Sequence, residues 1–186
     1  MPRPGYSPGM IAPKAPLVVI DLQTGMFDGV VEPPIHDADG LVDRAKAALG
    51  WARGTGRQVA FIRHDAPPGD PLAPGASGWP VWPALGQGET EPTFGKSVGD
   101  AFSDPDFTRW VADQGVGEVV LLGAQSDHCV TATVAGGLAK GLKVTVVADA
   151  HSTWDWNGET ADQIIARCNA AFAEAGARLV SVADLG

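Results

Sequence analysis

The chain has 186 residues, enough for one domain with a sizeable core. Its formal charge is −9, from 22 acidic against 13 basic residues, and no Lys/Arg cluster breaks that balance, which argues against nucleic-acid and anionic-membrane partners. No apolar run approaches the roughly 18 residues of a bilayer span, and the opening Met1-Pro-Arg-Pro-Gly lacks the apolar stretch of a signal peptide, so the predicted setting is cytoplasmic.

Residues 1–15 are predicted to form an extended arm suited to oligomer contacts, and residues 16–186 a single domain. The first apolar run, Leu17–Ile20, reads as a strand and ends at Asp21. Leu41–Arg53 is Ala-rich, is followed by Gly54, and reads as a helix. Val59–Ile62 is the second strand. The stretch His64–Gly88 is rich in Pro and Gly and carries Trp79 and Trp82; a loop of that length in a compact domain is usually functional, here as the cover of a pocket or of a subunit interface. A weak strand pattern lies near Glu91–Phe94, and Lys96 follows in a Gly-Lys-Ser loop. Ser103 is the predicted N-cap of a helix with Phe107, Trp110 and Val111 on one face.

Val119–Leu122 is the third strong strand, and after it the turn through Gln125 and Cys129 leads into a small-residue helix, Thr131–Ala139, that stops before Gly141. Val144–Val147 is the next strand, Glu159–Ala175 a helix with Gly176 at its C′ position, and Leu179–Val182 the last strand. The apolar runs are continuous rather than alternating, as in strands buried on both faces. The alternation predicts an α/β fold: a three-layer, doubly wound sandwich with a mostly parallel five- or six-stranded sheet and helices on both faces.

Ligands of such sheets bind beyond the carboxyl ends of the strands. Asp21, His64, the Gln125–Cys129 turn and Asp149–Ser152 all follow strand ends, so topology should bring them to one edge. A thiol entering a helix N-terminus faces backbone N–H groups and the positive end of the helix dipole, a setting that lowers its pKa. Taken singly, Cys129 is equally a buried structural cysteine, Asp21 a turn cap and Lys96 a solvated surface group. Together they supply a nucleophile, a base and a cation, the set that thiol acyl transfer needs. The second cysteine, Cys168, lies with Ile164 and Phe172 on one helix face and reads as core; with two cysteines in all, no disulfide framework is expected. Asp127 reads as the cap of the helix that Cys129 enters.

The segments Leu17-Val-Val-Ile-Asp21-Leu-Gln23, Gly95-Lys96-Ser97, Leu122-Gly-Ala-Gln-Ser-Asp-His-Cys129-Val130 with Thr133, and Val147-Ala-Asp149-Ala-His151-Ser152 resemble, in order, the isochorismatase-like cysteine hydrolases. The likeness runs from about Pro16 to Ala175. It implies a catalytic triad of Asp21, Lys96 and Cys129, a cis peptide at Ala124–Gln125, and an oxyanion hole from the N–H groups of Gln125 and Cys129. His64, Trp79, Trp82, His128 and His151 are candidates for the substrate pocket, each with a packing or solvent-exposed alternative; Trp154 and Trp156 share the choice between pocket and packing.

The family includes nicotinamidases, N-carbamoylsarcosine amidases, streptothricin lactam hydrolases, ureide-type amidohydrolases and isochorismatases that cleave a vinyl ether. Nicotinamidases bind a metal through an Asp-x-His and a further histidine. After its second strand this chain has Arg63-His64-Asp65 instead, so neither a metal nor any other cofactor is expected. An intact Cys129 favours C–N hydrolysis over vinyl-ether cleavage. The loops around Trp79 and Trp82 and the run Asp149–Asp155 are most similar to the streptothricin-hydrolase-like subgroup. The implied protein is a metal-independent cysteine hydrolase acting on a small amide, lactam or ureide, as a homodimer or homotetramer. An isochorismatase-type enzyme, and a non-catalytic binding protein on the same fold, are the alternatives.

Overall fold

The computed structural model describes residues 10–186; residues 1–9, most of the predicted arm, lie outside the described residues. Among the described residues there are six strands: β1 (Leu17–Ile20), β2 (Val59–His64), β3 (Thr93–Lys96), β4 (Glu118–Ala124), β5 (Lys143–Ser152) and β6 (Arg178–Val180). Four α-helices accompany them: α1 (Ala38–Gly54), α2 (Pro105–Asp113), α3 (Thr131–Ala139) and α4 (Ala161–Glu174). The strands form one sheet in the order β3-β2-β1-β4-β5-β6, and every neighbouring pair is parallel. Among the described residues no helix is long and apolar enough to cross a membrane.

Side-chain alternation along the strands explains the three layers. Leu17 and Val19 of β1, with Phe61 and Leu122, meet α1 through Leu41, Ala45, Ala48 and Leu49. Val18 and Ile20 point the other way, with Ile62, Leu121 and Val146, onto Phe107 of α2, Val134 of α3, and Ile164 and Phe172 of α4. One helix therefore covers one face and three cover the other. Cys168 is in this second core cluster and is 4% exposed.

Local details depart from the sequence reading in a few places. The N-cap of α2 is Asp104, whose carboxylate accepts the Asp106 N–H; Ser103 closes a preceding 3-10 turn. A proline at the first helical position fixes the start one residue later than Ser103 would. The helix α4 begins at a Thr160–Gln163 capping box and ends before Gly176, whose φ is +99°. Lys96 is the last residue of β3 rather than a loop residue, paired in register with His64 of β2.

The strand order reverses at β1: the chain leaves β1 for β2 on one side, and β4 lies on the other. At such a switch point the loops after the two central strands part and leave a crevice. Gly123, opposite Ile20 in the register of β1 and β4, has φ +137°. A Cβ there would overlap the Ile20 carbonyl oxygen. Only glycine lets the two backbones run this close, and that approach sets Asp21 beside the turn after β4. Gly123→Ala is expected to cost about 2–3 kcal/mol, from strain and overpacking together, read as a lower urea midpoint.

Candidate active site

Three side chains meet at the switch point. Asp21 follows β1, has φ +49° and is fully buried. Lys96, the last residue of β3, donates to Asp21 Oδ2 at 2.7 Å. Its Nζ is also 3.2 Å from Cys129 Sγ and 3.5 Å from His64 Nδ1. Cys129 is half-buried on a π-helical turn, Ser126–Val130, between β4 and α3. The Ala124–Gln125 peptide at the entrance to that turn is cis.

His64 is thereby brought to the centre rather than left in a loop. Ligating atoms of Asp21, His64 and Cys129 lie within 4.8 Å of one another, a potential metal-ligand set where the sequence offers His64 as a pocket residue at the same edge. The Lys96 ammonium touches all three, so the place a cation would take is already held by a positive charge. Asp149-Ala150-His151 also has Asp-x-His spacing, but His151 has no free ring nitrogen. Asp149 Oδ1 accepts the Val182 N–H, and both ring nitrogens of His151 are hydrogen-bonded.

The electrostatics differ from the sequence reading. The thiol of Cys129 is pushed up from 9.0 to about 12, first by burial and then by the Asp21 charge; Lys96 offsets only part of this. A helix-dipole argument for a lowered pKa leaves out both larger effects. Burial also raises the Asp21 carboxyl, with Lys96 as the main opposing influence. The resting thiol is thus neutral, and at Asp21 the 2.7 Å contact with Lys96 opposes burial in favour of the charged form. Asp21 Oδ1 is buried without a hydrogen-bond partner among the described residues. Buried polar atoms are rarely left unpaired, so an orphan here marks a site of use.

The raised thiol has a consequence for stability. Between about pH 9 and about pH 12 the unfolded chain ionises Cys129 while the folded protein keeps its proton. The folded state then binds more protons, so stability falls as pH rises through this window, by at most about 1.4 kcal/mol per pH unit. Cys129→Ala should lack this component. Urea unfolding of both proteins at pH 8 and pH 10 measures it as a gap that opens on the alkaline side.

The remaining candidates separate by position. Gln23, which the sequence reading passed over, is fully buried and uses its amide to bind the His64 N–H and C=O and the Trp79 C=O. It ties the long loop to β2. Trp79 lies under the Arg63 guanidinium, 3.8 Å from its ring centroid, and donates to Asp65 Oδ1. Trp82 stacks on Phe27 at 5.2 Å between centroids. Both rings pack. Asp127 does not cap a helix: it sits inside the π-helical turn and accepts from Thr153 Oγ1 at 2.8 Å. A groove of about 840 Å³ opens beside the turn, walled by Glu32, His36, Gln125, His128, Trp154 and Trp156. His128 thus borders a cavity, whereas His151 is buried behind the turn.

The profile of the isochorismatase domain family matches residues 15–181. A streptothricin hydrolase of Streptomyces noursei is 32% identical over 145 residues, covering 78% of this chain and 57% of that protein. The chain spans about half the length of the curated relatives it matches. Among solved structures, an isochorismatase from Pseudomonas putida superposes with a TM-score of 0.85 at 25% identity, over 97% of this chain and 94% of that one. A cysteine hydrolase from Pseudomonas syringae superposes with a TM-score of 0.88 over 100% of this chain and 96% of that one; at 18% identity it speaks to the fold alone.

Proposed function

The chain belongs to the isochorismatase family, and from that premise we propose that it is a cysteine hydrolase that opens a C–N bond of a small amide, lactam or ureide through a thioester on Cys129. The observation that carries this reading is the divided carboxylate of Asp21. One oxygen is held by Lys96, and the other is buried with no hydrogen-bond partner among the described residues, in the same cluster as the thiol. A carboxylate so placed can take a thiol proton without first giving up a hydrogen bond.

The thiol proton passes to Asp21 as Sγ attacks the carbonyl carbon, so a free thiolate need not accumulate. The negative charge moves from Asp21 to the carbonyl oxygen, where the N–H groups of Gln125 and Cys129 receive it. Asp21 then returns the proton to the leaving nitrogen, the C–N bond breaks, and a neutral thioester remains. Water loses a proton to Asp21, attacks the thioester, and Sγ departs with that proton. Lys96, 3.2 Å from Sγ and 2.7 Å from Asp21 Oδ2, stands opposite the moving charge. The groove bounded by Gln125 and His128 would hold the rest of the substrate. The curated relative named for hydrolysing streptothricin supports hydrolysis.

The test is a panel of amides, lactams and ureides assayed for released ammonia or amine, beside an isochorismate-like vinyl ether assayed for pyruvate, with Cys129→Ala as the blank. Amine release that depends on Cys129 is the expected result; pyruvate release alone would replace amide hydrolysis with vinyl-ether cleavage. Because the Lys96 ammonium fills the centre of the ligand set, turnover is expected to survive exhaustive EDTA dialysis. Loss of turnover on chelation, restored by zinc or manganese, would show that a metal does enter.

A further inference from the structure

We infer that His151 is a positioning residue for the oxyanion turn, locked into one tautomer by Asn169 so that it fixes the Ser126 hydroxyl and the backbone on either side of it. The inference rests on the thioester reading above and adds to it a buried hydrogen-bond chain behind the turn.

The chain of bonds has a single direction. Asn169 Nδ2 lies 2.9 Å from the Ala148 carbonyl oxygen, which can only accept, so the amide nitrogen must face it. Asn169 Oδ1 is then the atom 3.0 Å from His151 Nε2, and Nε2 must carry the proton. Burial holds the imidazole below its ordinary pKa, so the ring stays neutral and Nδ1 is bare. Ser126 Oγ, 2.8 Å away and fully buried, is left as the donor to Nδ1. Phe172 of α4 packs against the ring edge-on, with centroids 5.7 Å apart.

The position matters because of what Ser126 adjoins. It follows Gln125 directly and precedes Cys129 by three residues, so it lies between the two proposed oxyanion donors. The pairing of β4 with β5 is irregular here: Leu121 faces Val146, yet Gly123 faces His151. The extra residues on β5 carry the imidazole forward to the start of the turn. Other bonds also hold the turn, from Thr131 Oγ1 to Ser126 O and from Thr153 Oγ1 to Asp127 Oδ1. Loss of the imidazole should therefore loosen donor placement without dismantling the site.

Two reactions of the same thiol isolate this effect. Iodoacetamide forms an S–C bond and expels iodide, with no oxyanion. Acylation by p-nitrophenyl acetate forms a thioester through a tetrahedral oxyanion and expels p-nitrophenolate. The ratio of acylation to alkylation rates therefore reports the oxyanion hole. His151→Leu is expected to lower that ratio about tenfold or more. His151→Asn, whose side-chain oxygen can stand in for Nδ1, is expected to keep most of it. Asn169→Ala, which frees the tautomer, is expected to lower it and to carry the test if His151→Leu does not fold.

Nitrogen-15 NMR of the wild-type protein should show His151 protonated at Nε2 alone. An unchanged ratio in the folded variants, or protonation at Nδ1, would overturn the inference. A wild-type thiol that is alkylated but never acylated would instead sink the thioester reading, while the NMR result still decides the hydrogen-bond order.

Discussion

Cys129→Ala is expected to lose turnover by about three orders of magnitude or more, since it removes the attacking atom and leaves water with no equivalent. The protein should stay folded at neutral pH. The side chain is only half-buried, and its loss removes one contact to Lys96 from a cluster still closed by the Asp21–Lys96 ion pair. Cys168→Ala provides the opposite pattern. It deletes a sulfur packed with Ile164 and Phe172 and should cost about 1 kcal/mol of stability while leaving turnover intact. Steady-state rates and urea midpoints of the two variants, measured together, separate nucleophile from core. A dead Cys168→Ala beside an active Cys129→Ala would place the chemistry elsewhere.

Lys96→Met is expected to have the largest effect on stability. Both partners of the Asp21–Lys96 pair have almost no exposed side-chain surface, and their contact is 2.7 Å. Removing the ammonium leaves a carboxylate in a dry site, which typically costs about 3–5 kcal/mol unless the group takes up a proton. The remaining influences on Asp21 are then dominated by burial, which raises its pKa further. A carboxyl whose folded pKa is raised loses stability as pH rises through the window above its unfolded pKa, so the deficit should be larger at pH 7 than at pH 4. Adding Asp21→Asn should recover much of the loss, because the double variant buries no charge. Non-additivity of that kind in a double-mutant cycle, by urea unfolding, is the expected signature. In Lys96→Met alkylation of Cys129 near pH 7 should slow, since the cation that opposes burial and the Asp21 charge at the thiol is gone.

The central strands were readable because β1 and β4 are buried on both faces and so are written as unbroken apolar runs. β3 shows only as a weak pattern near Glu91–Phe94, since Thr93, Phe94 and Gly95 at the sheet edge are only partly buried. That is why Lys96 reads as a loop residue until its register with His64 is known. That Asp21 and Cys129 share one edge of the sheet follows from both lying after strand ends; that their strands are neighbours is a matter of strand order, which sequence spacing does not contain. Burial reversed the expected direction of the thiol shift, since the desolvation of Cys129 depends on what closes over it. The Ser126–His151–Asn169 chain depends on an irregular β4–β5 register, so residues 25 and 18 positions apart in pairs gave no local signal. Trp154 and Trp156, for which the sequence leaves pocket and packing open, both border the groove.

The most direct measurement is acid quenching during turnover of an amide that releases amine, followed by peptide mapping by mass. The expected result is a transient acyl group on the peptide containing Cys129, absent in Cys129→Ala together with amine release. An acyl group on a different residue, or amine released by Cys129→Ala at the wild-type rate, would contradict a thioester on Cys129.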